Sequence, residues 1–227
     1  MVVYATFEIK ISGNGSRKKV FAVLGLYGCF GPNSGMKKIW GALVIILNSH
    51  MFLAAQPGSS LPARVDSILQ ITGRLDYEKI MDYTYPRLFT IVSRAEMISA
   101  VRQSFETEEY SAGIDSLKLL KIHPVFTVSN ASYAKVTHSM VMRMKFKEGI
   151  DSSSAPDIIA LLEPEFGKGN VRFENSSGSF VIKMLSDLIA IKDEYAKEWS
   201  FVNFEKDSPL IGLLFSKEVI EKLDQLK

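Results

Sequence analysis

The sequence predicts an α+β domain in which N-terminal helices pack on a curved antiparallel sheet, followed by an extra C-terminal helix. Three observations carry that prediction. Apolar residues recur at helical spacing from Leu61 to about residue 105, the period changes to two after Gly113, and an amphipathic stretch closes the chain.

The helical part has three pieces. Val65, Ile68, Leu69 and Thr72 form one stripe that Gly73 ends. Asp76 caps a second helix, DYEKIMDYTY, which Pro86 stops. Ser93 and Glu96, three apart ahead of MISAVRQSF, make a capping-box signature for the third.

Beyond Gly113, SLKLLKIHPVFTV and YAKVTHSMVMRMKF alternate on either side of a turn at Ser129 to Ser132. Ala134, Val136, His138, Met140, Met142, Met144 and Phe146 fall on one side of the second run, opposite mostly polar residues, as in a long hairpin with one apolar face. PDIIALLEPEFG reads as a short helix or inserted loop, GSFVIKMLSDLIAIKD and EWSFVNFE as two more strands, and KEVIEKLDQL as a helix capped by Ser216. The helices are expected on one face of the sheet. No repeat of 20 to 50 residues is visible, so residues 61 to 227 are read as one domain.

Upstream, Lys37 and Lys38 precede an uncharged apolar run at residues 39 to 47, and Ala54 and Ala55 provide a small-residue exit. That is the layout of a secretory signal peptide over residues 36 to 55. A spanning helix needs ~20 apolar residues, so stable membrane insertion after processing is not expected. Residues 1 to 35, weakly patterned coil with short apolar pieces, read as an upstream extension. The protein is accordingly expected to be exported, to the periplasm or the extracellular space.

Residues 1 to 55 hold six of the 27 Lys/Arg and one of the 25 Asp/Glu, so the other 172 residues carry a formal charge of −3. No basic footprint points to nucleic acid. The single cysteine, Cys29, lies in the leader, so no disulfide is expected in the processed chain.

The helical start LDYEKIMDYTYPRLF, the helix RAEMISAVRQSF, the YAKVTHSMVMRMKF strand and the late pair FVIKMLSDLIAIKDEYAKEWSFV together resemble the nuclear transport factor 2-like superfamily, the cystatin-like cone that includes ketosteroid isomerase and the SnoaL-type cyclases. The likeness covers roughly residues 63 to 206. It implies a bent sheet wrapped around helices to leave a pocket, used by some members for catalysis and by many for binding or dimerisation. Fold likeness does not choose among those uses. The tail DSPLIGLLFSKEVIEKLDQLK and the insertion at residues 148 to 170 depart from the family pattern.

No catalytic residue is assigned. The candidate ligand-binding residues are His138, Met140 and Met142, from the apolar row of the strand, and Tyr83, one of three phenols with Tyr77 and Tyr85 near the early helices. Burial lowers a histidine's pKa and suits it to accept or donate a hydrogen bond at neutral pH, while methionine fills irregular apolar space. His123, before Pro124, reads as a surface or edge residue. The three histidines lack metal-ligand spacing, so neither metal nor cofactor is expected. Asp187 and Asp193, six apart in a strand and so ~20 Å from end to end, are too distant to act as a carboxylate pair. GKGN at 167 to 170 lacks the context of a phosphate loop, and no GxSxG elbow occurs. Asn130-Ala-Ser132 and Asn175-Ser-Ser177 match the N-glycosylation pattern at two turns.

The residues therefore lead to a non-enzymatic exported protein that binds a small apolar ligand or a protein partner on an apolar concave face. The alternatives are an isomerase- or cyclase-like enzyme built on His138, and homodimerisation through an open sheet face suggested by Trp199 and Phe201.

Overall fold

The computed structural model describes the backbone of residues 4–10 and 17–23, and residues 60–226 in full. The apolar run 39–47 and Cys29 lie outside the described residues. Within the stretch read as coil, Tyr4–Lys10 (β1) and Arg17–Val23 (β2) instead pair antiparallel, Tyr4 opposite Val23 and Lys10 opposite Arg17. Short alternating runs joined across SGNGS satisfy each other's backbone groups, a hairpin signal that the coil reading passed over.

The remainder is an α+β arrangement. Leu61–Gly73 (α1) starts with Ser60 accepting from the Ala63 N–H and Pro62 in the first turn. Tyr77–Tyr83 (α2) is capped by Asp76, and a 3-10 turn spans Pro86–Thr90. Arg94–Phe105 (α3) carries both halves of the capping box: Ser93 accepts from the Glu96 N–H, and the Glu96 carboxylate accepts from the Ser93 N–H. Tyr110–Ile122 (β3), Phe126–Val128 (β4), Ala131–Phe146 (β5), Val171–Glu174 (β6), Ser179–Lys192 (β7) and Ser200–Asn203 (β8) form one antiparallel sheet. Ala155–Phe166 (α4) occupies the insertion between β5 and β6, and Pro209–Leu214 (α5) and Lys217–Gln225 (α6) close the chain.

The long strands β5 and β7 are the axis of the sheet. β3 and β4 pair with β5, and β6 and β8 pair with opposite ends of β7. Register puts Ala134 beside Ala190, Val136 beside Leu188, His138 beside Ser186 and Met142 beside Ile182, so these residues share one face. α1 covers one end of that face, packing Leu61, Val65, Ile68 and Leu69 with Ala134, Val136, Leu188 and Ala190. α4 covers the other end, packing Ala155, Ile158 and Leu162 with Met142, Met144, Phe180 and Ile182.

The opposite face is also covered, contrary to the one-sided packing read from the sequence. Ile189, Ile191 and Val202 join Met81, Tyr85 and Leu88 from the early segments and Ile211, Leu214, Val219 and Leu223 from α5 and α6. The reason lies in β7, where Leu188, Ile189, Ala190 and Ile191 are all buried; a strand end apolar on both sides must be covered on both. Trp199 and Phe201, expected on an open face, are 8% and 3% exposed in the α1 cluster.

Candidate functional site

β3 is an edge strand, and its irregular pairing shapes the candidate site. Bulges between Ile114 and Ser116 and between Leu119 and Lys121 shift its register on β5, yet Leu117 still pairs with Met140 and Leu119 with His138. Between β3 and α1 lies a half-open groove of about 320 Å³. Its apolar lining comes from Leu69 of α1 and from Ile114, Leu117 and Leu119; Asp66, Gln70, Asp115 and Ser116 add polar groups. The helix contributes on its i, i+3, i+4 spacing, so Asp66, Leu69 and Gln70 line one side together. A volume of this size sits at the small end of the ~300 to 1,000 Å³ typical of ligand sites.

Beside this groove, His138 is 7% exposed, and its Nδ1 is buried without a hydrogen-bond partner. Burial pushes its pKa below the ordinary imidazole value, against the charge of Asp187 and a hydrogen bond with the Val136 backbone. The ring is thus held neutral at pH 7.

The four candidate ligand-binding residues do not meet around one cavity. Met140 is half-buried beside His138 on β5, whereas Met142 is packed under α4. Tyr83 lies with the α1 cluster, its ring under the Arg64 guanidinium at 4.1 Å. None of the four is among the groove's lining residues. The residues that sequence reasoning missed are Leu69, Leu117, Leu119, Asp66 and Gln70. They were visible only as an ordinary amphipathic helix and strand.

A polar chain occupies the other face of the sheet. Thr137 donates its hydroxyl to Asp187 Oδ1 at 2.6 Å, and Lys135 Nζ stands 3.6 Å from Asp187 Oδ2. His123 Nε2 lies 3.2 Å from Thr137 Oγ1; since the hydroxyl proton is given to Asp187, the imidazole must be the donor. His123 is therefore no surface residue. It is 3% exposed, its backbone N–H donates to the Lys135 carbonyl, and burial lowers its pKa, helped by Lys121 and Lys135 and opposed by Asp187. Pro124 ends the strand, but the ladder of β5 has already drawn His123 inward. Asp187 and Asp193 belong to separate networks, the latter accepting from Tyr85.

Among the described residues, no group of histidine, cysteine and acidic side chains could hold a metal ion, and no helix is long and apolar enough to cross a membrane. Asn130 and Asn175 both lie exposed in turns, and Ser177 of the second glycosylation pattern is tied to Glu174 and Arg143. No protein-family model matches the chain, and neither a curated protein nor a solved structure matches it.

Proposed function

We propose that the chain is an exported, non-enzymatic binding protein of the cystatin-like cone type, with the groove between α1 and β3 as its ligand seat. The observation that carries this reading is the groove itself: Leu69, Leu117 and Leu119 offer apolar contact, and Asp66 and Gln70 add polar groups within one small volume. Ligand sites combine these features, a largely apolar surface with a few orienting polar groups. The layout of residues 36 to 55 supports export, and the order of three helical segments before long antiparallel strands supports the cone. The absence of a recognised catalytic set in the sequence favours binding over turnover.

Native mass spectrometry of the protein purified from its own host tests the reading. A co-purifying small molecule is expected, and Leu117→Trp, which fills the groove, should abolish its retention. Retention of that molecule by a folded Leu117→Trp protein would place the ligand elsewhere. N-terminal sequencing of the exported protein is expected to show a chain starting near Gln56.

A further inference from the structure

The face of the sheet opposite α1 is covered at one end. The helical segments packed on Ile189, Ile191 and Val202 stop short of the middle of β7, where Leu185 is 74% exposed. Register sets Lys118, Ser139 and Leu185 side by side on the uncovered part, then Ser116, Val141 and Lys183, and farther along β5 it sets Lys145 opposite Ser111. Ser139, Val141 and Lys145 alternate to the same side of β5, so the three lysines spread over about 20 Å. The acids of this face are already matched: Asp187 stands with Lys135, and Asp115 and Glu174 stand with Arg143. Lys118, Lys145 and Lys183 are exposed and have no ion pair among the described residues. Residues 56 to 227 are net acidic, so this face carries a charge opposite to that of the chain around it.

A surface of this sign fits an anionic partner, and Leu185 at its centre narrows the kind. Leu185 stands on a stretch of β7 that neither β6, paired up to Ile182, nor β8, paired from Leu188, flanks. An aliphatic side chain projecting among lysines suits the boundary between lipid headgroups and chains. A nucleic-acid strand would call for aromatic rings to stack its bases, and the uncovered rows hold none.

We propose that this half of the sheet face docks on an anionic lipid surface, with Lys118, Lys145 and Lys183 among the lipid phosphates and Leu185 entering the headgroup boundary. The contact is peripheral and reversible, since each lysine near such a surface is worth about fivefold in affinity. It lies on the other face of the sheet from α1 and does not rest on the reading of the groove.

The test mixes the protein, as purified from its host, with sucrose-loaded vesicles of phosphatidylcholine alone or of equal parts phosphatidylcholine and phosphatidylglycerol. Sedimentation is measured at ~0.1 M and ~1 M NaCl, between which the screening length falls from ~10 to ~3 Å. The protein is expected to sediment with the mixed vesicles at the lower salt, to be released at the higher, and to ignore phosphatidylcholine. Lys118→Gln with Lys183→Gln should weaken binding about 25-fold, and Leu185→Ser should weaken it severalfold. Lys192→Gln with Lys197→Gln, exposed positions off this face, should leave it unchanged. All variants are compared in one chain, so a leader still attached adds equally to each, and unchanged urea midpoints show that they are folded. Equal sedimentation with both vesicles, sedimentation with neither, or equal loss from the two lysine pairs overturns the proposal and leaves the groove untouched. So does full binding by Leu185→Ser together with displacement from the vesicles by a single-stranded oligonucleotide, which would give the face to nucleic acid.

Discussion

Tyr85 donates its phenolic proton to Asp193 Oδ2 at 2.6 Å, joining the segment after α2 to the turn between β7 and β8 across 108 residues. The same carboxylate accepts from the Tyr195 and Ala196 N–H groups at 2.9 Å, so one side chain shapes the turn and anchors the helical segment to it. Burial, with the hydrogen bond and charge of Asp193, pushes the phenol well above its ordinary range, so the phenol keeps its proton at neutral pH. Tyr85→Phe is expected to cost about 1.5 to 3 kcal/mol, the range for a hydrogen bond to a charged group. Asp193→Ala should cost more, because it also frees two backbone donors. Urea unfolding of both variants checks the order.

His123 and His138 titrate below the ordinary 6.5 in the folded protein, each mainly through burial. Between that value and their folded pKa values, the unfolded chain holds the extra protons. The stability they contribute is whole above pH 6.5 and is lost as the pH falls through their folded values. Imidazole proton resonances should show both midpoints below 6.5, and urea midpoints should fall on acidification in the same window. A midpoint above 6.5 for His138 would mean that its ring is charged and partnered, against its unpaired Nδ1.

What the sequence made legible follows from which contacts are periodic. α1, α3 and β5 stand out because each repeats its apolar spacing over a dozen residues or more and α3 carries its own capping box. β6 escaped notice because four residues, VRFE, are too few to show a period. The second covered face was written in the LIAI run of β7, an unbroken apolar stretch that alternation-based reading treats as one-sided. The burial of His138 was legible from its apolar row, but its unpaired nitrogen was not. The groove was least legible: it joins Leu69 to Leu117 and Leu119, some 50 residues on, and the pairing of Leu119 with His138 depends on bulges in β3 that no local pattern announces.

Two turn residues with positive φ should respond to substitution in opposite directions. Gly178, at φ 61 between β6 and β7, has nothing within 4 Å of an added Cβ, so Gly178→Ala meets backbone strain alone. That strain costs about 1 to 2 kcal/mol, partly offset by a stiffer unfolded chain, for a net loss of about 1 kcal/mol. Ser129, at φ 54 ahead of β5, already bears the strain as a residue with a Cβ. Ser129→Gly should therefore gain a few tenths of a kcal/mol, after the greater entropy of the unfolded chain is subtracted. Thermal unfolding of the pair shows whether the two shifts differ in sign.

β7 offers a contrast within one strand. Phe180 is fully buried, with ring centroids 5.9 Å from Phe146 and 4.9 Å from Phe173, and it closes the cluster beneath α4. Leu185, five residues on, faces the opposite side, is 74% exposed and stands clear of the helices that cover Ile189 and Ile191. Phe180→Ala removes a buried ring and leaves a cavity that three packed elements cannot close, so a loss of about 3 to 5 kcal/mol is expected. Leu185→Ala removes surface already in water, and a change within about 0.5 kcal/mol is expected. If urea unfolding instead finds Leu185→Ala destabilising by more than about 1 kcal/mol, Leu185 is covered in solution and the middle of this face has an occupant. If Phe180→Ala costs less than about 2 kcal/mol, α4 is not seated on the sheet, and the cluster joining it to β5 and β7 does not form as described.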